Sequence, residues 1–415
     1  MNKQQVLEVL RGNIANYRNL EDASQTAKKR LKFKEPVFTK MQLAAVLEVD
    51  SSDINEYMDN IIAKSDEPVR FSKDARGWSV ITLEQAFMIA EEAGMVPVPT
   101  QRQQRNKHYD TPVTLVNTSK GGIGKSTTAI HLAVQSALDV TKNQRVLLID
   151  TDPQGSIIHH IAQTDIESSF DSVATLIEEN ARLSRAERLS PENQAKFRKY
   201  IIENVLCDTY LANLKVLPSN MTDTELDLTI TETILNNNGG IDSAITLYND
   251  IVIEPMKTEF DSIWIDTTPT PNLTVCNLYY AANHVMFITS GRKLDYSAYV
   301  SHQSFLIKMI DQLMPEDFKG YHSMKTVITK HVALKRTNKQ SVMLDRNVSK
   351  ISSTNDTYST RILENPRYEL ASDERLPLQL LDTANDALYK DAMALLNQLY
   401  NEVKHNCDKH LWAAA

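Results

Sequence analysis

The sequence predicts an α/β fold, a mostly parallel sheet flanked by helices, preceded by a smaller all-helical or winged helix-turn-helix module. Three observations carry that reading. Short apolar runs alternate with helical patterns after residue 110. The stretch KGGIGKST at Lys120–Thr127 opens a helix directly after the first of those runs. The polar, proline-containing stretch Val96–Asp110 (VPVPTQRQQRNKHYD) divides the chain in two. The expected boundaries are an N-terminal helix at 1–35 that could pair, a winged helix-turn-helix at 36–95, a linker at 96–110, the α/β domain at 111–405 and a tail at 406–415.

In the first module Met41, Leu43, Ala44 and Leu47 form a short helical stripe. Val49–Ser52 is a turn with N-cap residues, and Ile54, Tyr57, Met58, Ile61 and Ile62 form a second stripe. This is a helix-turn-helix pattern, and Arg76-Gly77-Trp78-Ser79 predicts a turn and strand that would serve as a wing. Ser52 and Asn55, on the second helix, are the candidate DNA contacts. A three-helix interaction module without DNA contact fits the same pattern.

Beyond the linker, Val113–Asn117 is a short apolar strand and Ser126–Val140 a helix. Val146–Asp150 (VLLID) is continuously apolar up to its last residue, as a strand buried on both faces must be. Leu214–Leu217, Ile263–Asp266, Val285–Thr289 and Thr326–Thr329 repeat the theme. The segment from 160 to 212 is polar and helical and reads as helices packed on the sheet. Ligands in such sheets sit beyond the carboxyl ends of the strands.

Composition bounds the partners. The 415 residues carry a net charge of −8, which argues against a nucleic-acid-binding surface spread over the whole chain. Two basic clusters stand apart, KKRLKFK at 28–34 and the stretch 323–350. Each reads equally as a solvated face. Cys207, Cys276 and Cys407 lie far apart with no metal-ligand spacing, so a reducing compartment is expected. No run of apolar residues is long enough to span a membrane, and the first residues hold no apolar export core.

KGGIGKST carries the chemistry. Glycines let backbone N–H groups turn inward around phosphates, and the following helix adds its positive end. Gly121, Gly122 and Gly124 supply that freedom around Ile123, Lys125 would reach the β- and γ-phosphates, and Ser126 would hold Mg²⁺, with Thr127 following. Ser119 stands where the usual pattern has its first glycine, and Lys120 adds a second lysine at the mouth. RVLLIDTDPQG places Asp150 and Asp152 past a buried strand, and DSIWIDTTPT places Asp266 at another. Carboxylates there can order Mg²⁺ and its water shell or orient an attacking water.

KGGIGKST, LLIDTDPQG and WIDTTP together resemble the deviant Walker A, Walker A′ and Walker B motifs of ParA/MinD-type ATPases, along roughly residues 111–400. The resemblance implies ATP/ADP and Mg²⁺ as cofactors. It implies a homodimer in which Lys120 reaches the partner's nucleotide, adding a cation where charge develops. It also implies Lys125 as the main phosphate lysine, Ser126, Asp150 and Asp266 around the metal, and Asp152 as the water-positioning residue; Asn117 and Pro153 also match. Ser119 and Thr268 depart from common family residues without removing a charged group.

About 110 residues ahead of the loop resemble the larger ParA proteins, which partition plasmids and some secondary chromosomes and repress their own operon. The implied partners are operator DNA, nonspecific DNA and a ParB-type centromere-binding protein that speeds slow hydrolysis, in a bacterial cytoplasm and on the nucleoid. Lys330, Lys335, Arg336 and Lys339 are the candidate nonspecific contacts, sensitive to salt; the same stretch could instead border the adenine. A MinD-like membrane regulator would need an interfacial C-terminal helix, whereas Asp386–Lys404 reads as one docked on the sheet, so no membrane is expected. A pure repressor would leave Lys120 and Asp152 unexplained.

Overall fold

The computed structural model describes residues 33–412, apart from 66, 105–107, 119, 156, 162–170, 237–239, 333–338 and 383–385, and apart from the side chains of 339 and 340. The helix expected at 1–35 therefore lies almost wholly outside the described residues. Phe33 and Lys34 are described. They lie against the larger domain, with Phe33 bridging to Leu381 and Lys34 N–H donating to the Leu380 carbonyl at 2.9 Å.

The first module consists of β1 (Val37–Phe38), α1 (Lys40–Leu47), α2 (Ser51–Lys64), β2 (Ser72–Lys73), β3 (Ser79–Thr82) and α3 (Leu83–Glu92). Thr39 and Thr82 cap α1 and α3 through capping boxes with Gln42 and Gln85. Leu43, Ala44, Leu47, Ile54, Met58 and Ile61 face a common core with Ile81, Ala86 and Ile89. The strand order β1-β3-β2 is antiparallel, and Gly77, with φ of +81°, turns β2 into β3 beside an exposed Trp78. The elements are thus helix, turn, helix and a small hairpin.

The described part of the stretch expected as a linker contains a helix. Val98–Gln104 forms α4, and its Arg102 donates to Asp261 at 2.7 Å and to the carbonyls of Lys257 and Phe260. Tyr109 bridges to Trp412, so the expected tail also joins the domain. The sequence pattern hid this because the docking rests on Arg102, Tyr109 and the single buried Val98, which make no apolar stripe.

The larger domain holds β4 (Val113–Asn117), β5 (Val146–Asp150), β6 (Cys207–Asp208), β7 (Leu214–Leu217), β8 (Ser262–Asp266), β9 (His284–Thr289), β10 (Ser323–His331) and β11 (Thr357–Leu363). Their order is β11-β10-β9-β4-β8-β5-β7-β6, parallel throughout except for β6, which lies antiparallel on β7. Every residue of β4, β5, β8 and β9 is buried, which explains their unbroken apolar runs. Helix α5 (Lys125–Ala137) covers one face together with α10 (Ala387–Asp408). The other face carries helices between 173 and 281, including α6 (Leu226–Leu235), and then α7 (Lys293–Leu313). Helices α8 (Lys339–Thr354) and α9 (Pro366–Asp373) flank β11 in sequence. Helix α10 buries Ala392, Leu396, Leu399, Tyr400 and Val403, the sheet-docked arrangement expected for the C-terminal stripe.

Three buried imidazoles are held neutral. Burial depresses His131 to about 4, His302 to about 4 and His284 to about 3. A histidine that cannot charge in the folded state contributes stability above its unfolded value near 6.5 and loses it as pH falls. Replacing His302, whose Nε2 meets Tyr279 Oη at 2.9 Å, tests this at one position. In urea titrations, His302→Gln should shrink by roughly 1 kcal/mol the stability that the wild type loses between about pH 7.5 and 5.5 through this group. An unchanged difference would contradict it.

Candidate active site

The loop after β4 is built for a phosphate. Gly122 and Gly124 have φ of +73° and +92°, a region that side chains rarely adopt. Asn117 Nδ2 donates to Thr267 Oγ1 at 2.8 Å, tying the start of the loop to the end of β8. Thr329 Oγ1 donates to the Ile123 carbonyl at 2.6 Å and the Thr289 carbonyl at 3.2 Å, fastening the loop to β9 and β10. Helix α5 then begins at Lys125, so its unpaired N–H groups face the loop.

Three charges meet beneath it. Asp150 and Asp266 end adjacent strands as register partners. Lys125 Nζ donates to Asp266 Oδ1 at 2.5 Å and lies 3.3 Å from Ser126 Oγ. Burial, then the neighbouring Asp266 carboxylate, pushes Asp150 up to about 7. Burial also raises Asp266, against the pull of Lys125. Asp150 accepts the N–H groups of Asp152 at 3.0 Å and Ile157 at 3.0 Å, and so shapes the loop that carries Asp152. Among the described residues the Asp152 carboxylate accepts a local N–H, from Gln154 at 3.1 Å, and Asp152 is partly exposed.

The residues fit a magnesium ion. Asp266 Oδ2 is buried without a hydrogen-bond partner among the described residues. Ser126, Asp150 and Asp266 offer hard oxygen donors, the type Mg²⁺ prefers while keeping most of its waters. A bound Mg²⁺ would neutralise phosphate charge; Lys125 would move its ion pair from carboxylate to phosphate.

Lys120 stands apart from this cluster. Its Nζ pairs with Asp295 of its own chain, and 42% of its side chain is exposed. Burial pushes the Asp295 carboxyl up, but hydrogen bonds from Lys120 and from Ser290, at 2.5 Å, outweigh it and hold the carboxyl below its usual range. Sequence reading missed Asp295, although it follows the end of β9 by six residues, the kind of position that ligands favour.

A cleft of about 260 Å³ opens beside the loop, lined by Gly122, Gly124, Thr127, Thr329, Lys330, Ile362, Asn365 and Tyr368. Its walls are largely apolar, and Tyr368 Oη is buried with no hydrogen-bond partner among the described residues. Lys330, offered as a DNA contact or a neighbour of the base, borders this cleft. Lys335 and Arg336 lie outside the described residues, as does the side chain of Lys339. Ser52 and Asn55 are exposed on α2, with Asn55 Oδ1 accepting from Lys40 Nζ.

Comparison with known proteins agrees with the fold and with a ParA-type ATPase family. A family model described as "AAA domain" matches residues 112–319. A segment of 174 residues is 30% identical to the chromosome partitioning protein ParA of Myxococcus xanthus (strain DK1622), covering 42% of this chain and 50% of that one. The chain spans about half the length of the curated relatives it matches. Among solved structures, a partition protein superposes with a TM-score of 0.63 at 14% identity, over 95% of this chain and 98% of that one. Apo McdA of Cyanothece superposes with a TM-score of 0.52 at 16% identity, over 72% of this chain and 100% of that one. These two likenesses are of fold.

The Lys125–Asp266 pair should also be visible in the protein's stability without nucleotide. Lys125→Ala leaves a buried carboxylate beside Asp150 without its cation and should cost roughly 3 kcal/mol in urea unfolding. An unchanged midpoint would show that the pair carries no weight.

Proposed function

The chain belongs to the AAA-domain family of ParA-type ATPases, and on that premise we propose that it is an ATP-dependent DNA partition ATPase of the larger kind, one that segregates a plasmid or secondary chromosome and represses its own operon. The observation that carries this reading is the division of labour between two lysines. Lys125 is buried on Asp266 at the phosphate position, whereas Lys120 is half-exposed at the loop's mouth, held by one carboxylate. A lysine so placed can leave Asp295 for the phosphates of a second copy's nucleotide. ATP would then join two chains, and hydrolysis would release them.

In the reaction, the loop N–H groups and Lys125 would bind the β- and γ-phosphates, and Ser126, Asp150 and Asp266 would hold Mg²⁺ and its waters. Asp152 orients the attacking water, and Lys120 of the second copy stabilises charge on the transferred group. Asp150 holds the loop bearing Asp152 through two backbone hydrogen bonds. The cleft against Tyr368 and Asn365 takes the base, which supports the reading of Lys330 as a nucleotide neighbour. Hydrolysis is slow until a ParB-type partner and DNA are bound. Helix α2 and the β2–β3 hairpin support operator binding through Ser52 and Asn55, and the stretch 335–339 is the proposed nonspecific contact. The protein acts in the cytoplasm, on the nucleoid.

Sedimentation with and without Mg²⁺-ATP tests the site. Lys125→Ala and Lys120→Ala should each lose ATP-dependent dimers, and Asp152→Ala should accumulate them while hydrolysis falls at least about tenfold. Dimerisation retained in Lys120→Ala would remove the two-chain site, and hydrolysis at the wild-type rate in Asp152→Ala would remove its role. Binding to random-sequence duplex DNA at one fixed salt should be tight with ATP and weak with ADP or no nucleotide. Weak binding in all three states would sink the nonspecific-DNA step.

A further inference from the structure

At the ends of the strands opposite the phosphate loop, three imidazoles meet. His284 opens β9, His322 lies just ahead of β10, and His410 follows α10. The His322 and His410 rings stack, with centroids 4.7 Å apart and planes within 4° of parallel. The His284 ring lies 5.5 Å from the first and 6.1 Å from the second. Among the described residues no group of three or more His, Cys, Asp or Glu is arranged to hold a metal ion, so the chemistry left to this cluster is proton uptake.

The cluster fastens three parts of the chain. His322 Nε2 meets Asp110 Oδ2 at 2.6 Å, and Asn283 Nδ2 donates to Asp110 Oδ1 at 3.1 Å. Asp110 N–H donates to the Leu411 carbonyl at 2.9 Å. His284 Nδ1 meets Ser323 Oγ at 2.8 Å, and Asn406 Nδ2 donates to the same hydroxyl at 2.7 Å. The stretch before β4, the starts of β9 and β10 and the segment after α10 are thus tied at one point. Beside it Val98, Tyr109, Leu411 and Trp412 form a small apolar cluster apart from the main cores, which seats α4 on the domain. Few buried apolar contacts hold this corner, so it belongs to the part of the fold that opens most readily.

Charge decides when it opens. Among the described residues, Asp110 and Lys409 are the charged groups that bear on His284 and His410, and Asp408 beside them is paired with Lys142. A second proton in the cluster would therefore meet like charge on a stacked or adjoining ring. Burial, then His322 and His410, depress His284 to about 3; burial, then His322 and Lys409, depress His410. Opening to water would return both to the ordinary value near 6.5, so below that pH the open form binds more protons and acid favours it.

We propose that His284, His322 and His410 form a pH-operated clasp, closed while the rings are neutral, which acidification opens to release the segment 409–412 from 108–112 and loosen the seat of α4. This device is separate from the proposed reaction, because it lies at the other ends of the strands.

Amide hydrogen exchange of the full chain, read by mass spectrometry and corrected for the intrinsic pH dependence of exchange, tests it, with β5 as internal reference. Each imidazole that takes up a proton only on opening raises the open fraction about tenfold between about pH 7.5 and 5.5. With His284 and His410 both contributing, the wild type should lose about a hundredfold in protection at 108–112 and 409–412, while β5 stays unchanged. His410→Gln should lose about tenfold, and His284→Gln with His410→Gln should show protection independent of pH. Wild-type protection that does not move with pH would overturn the proposal. So would a double variant that tracks the wild type. Should the double variant be open at every pH, His410→Gln alone decides, and an undiminished wild-type slope there counts against the clasp. Protection gained on adding Zn²⁺ at neutral pH would also overturn it, since the cluster would then be a metal site.

Discussion

The buried contact between Lys125 and Asp266 is the constraint on which the rest of the structure depends. A lysine and two aspartates sit within one register step at the ends of neighbouring strands. Without a cation, Asp150 and Asp266 could not both ionise there, since both are buried and the Asp266 carboxylate opposes charge on Asp150. The lysine resolves this only in part, which leaves Asp266 Oδ2 unsatisfied. Such a cluster is costly as a structural device, because a buried ion pair seldom outweighs its desolvation. It is economical as a binding device, because phosphate and a divalent cation complete it. The surrounding fold keeps the cluster in place: the sheet fixes both carboxylates, and the glycine loop brings the lysine over them.

Around that cluster, the same carboxylates have other duties. Asp150 anchors the loop of Asp152 by accepting the N–H groups of Asp152 and Ile157. Lys120 is held outside the cluster by Asp295, on the helix that follows β9. The site thus has one lysine committed inward and one free to exchange partners. That asymmetry is what a site completed by a second chain requires. Several contacts among the described residues join the site-bearing domain to the rest of the chain. Arg102 is locked on Asp261, and Asn143 donates to Glu91 of the N-terminal module at 3.3 Å.

The sequence made the sheet's centre legible for a physical reason. β4, β5 and β7 run as their apolar stretches do, because strands covered on both faces leave no room for polar alternation. Strand β11 escaped notice because it is an edge strand, with every second residue of TYSTRIL buried. The phosphate loop and its three aspartates were legible because each follows a strand end within a few residues. Asp295 and Tyr368 were not, because their roles arise from folding partners across the chain: Asp295 lies 175 residues from Lys120. The docking of Val98–Gln104 and Tyr109 was hidden likewise, in contacts of Arg102 and Tyr109 that no local period announces.

The central claim is that Lys125 and Asp266 are a preassembled phosphate and magnesium site. Calorimetric titration with ATP, in the presence and absence of Mg²⁺, for the wild type and for Asp266→Asn, tests it most directly. Mg²⁺ should tighten ATP binding to the wild type by about tenfold or more and have little effect on the variant. ATP affinity that is indifferent to Mg²⁺ in the wild type, or an equal gain in the variant, would contradict it.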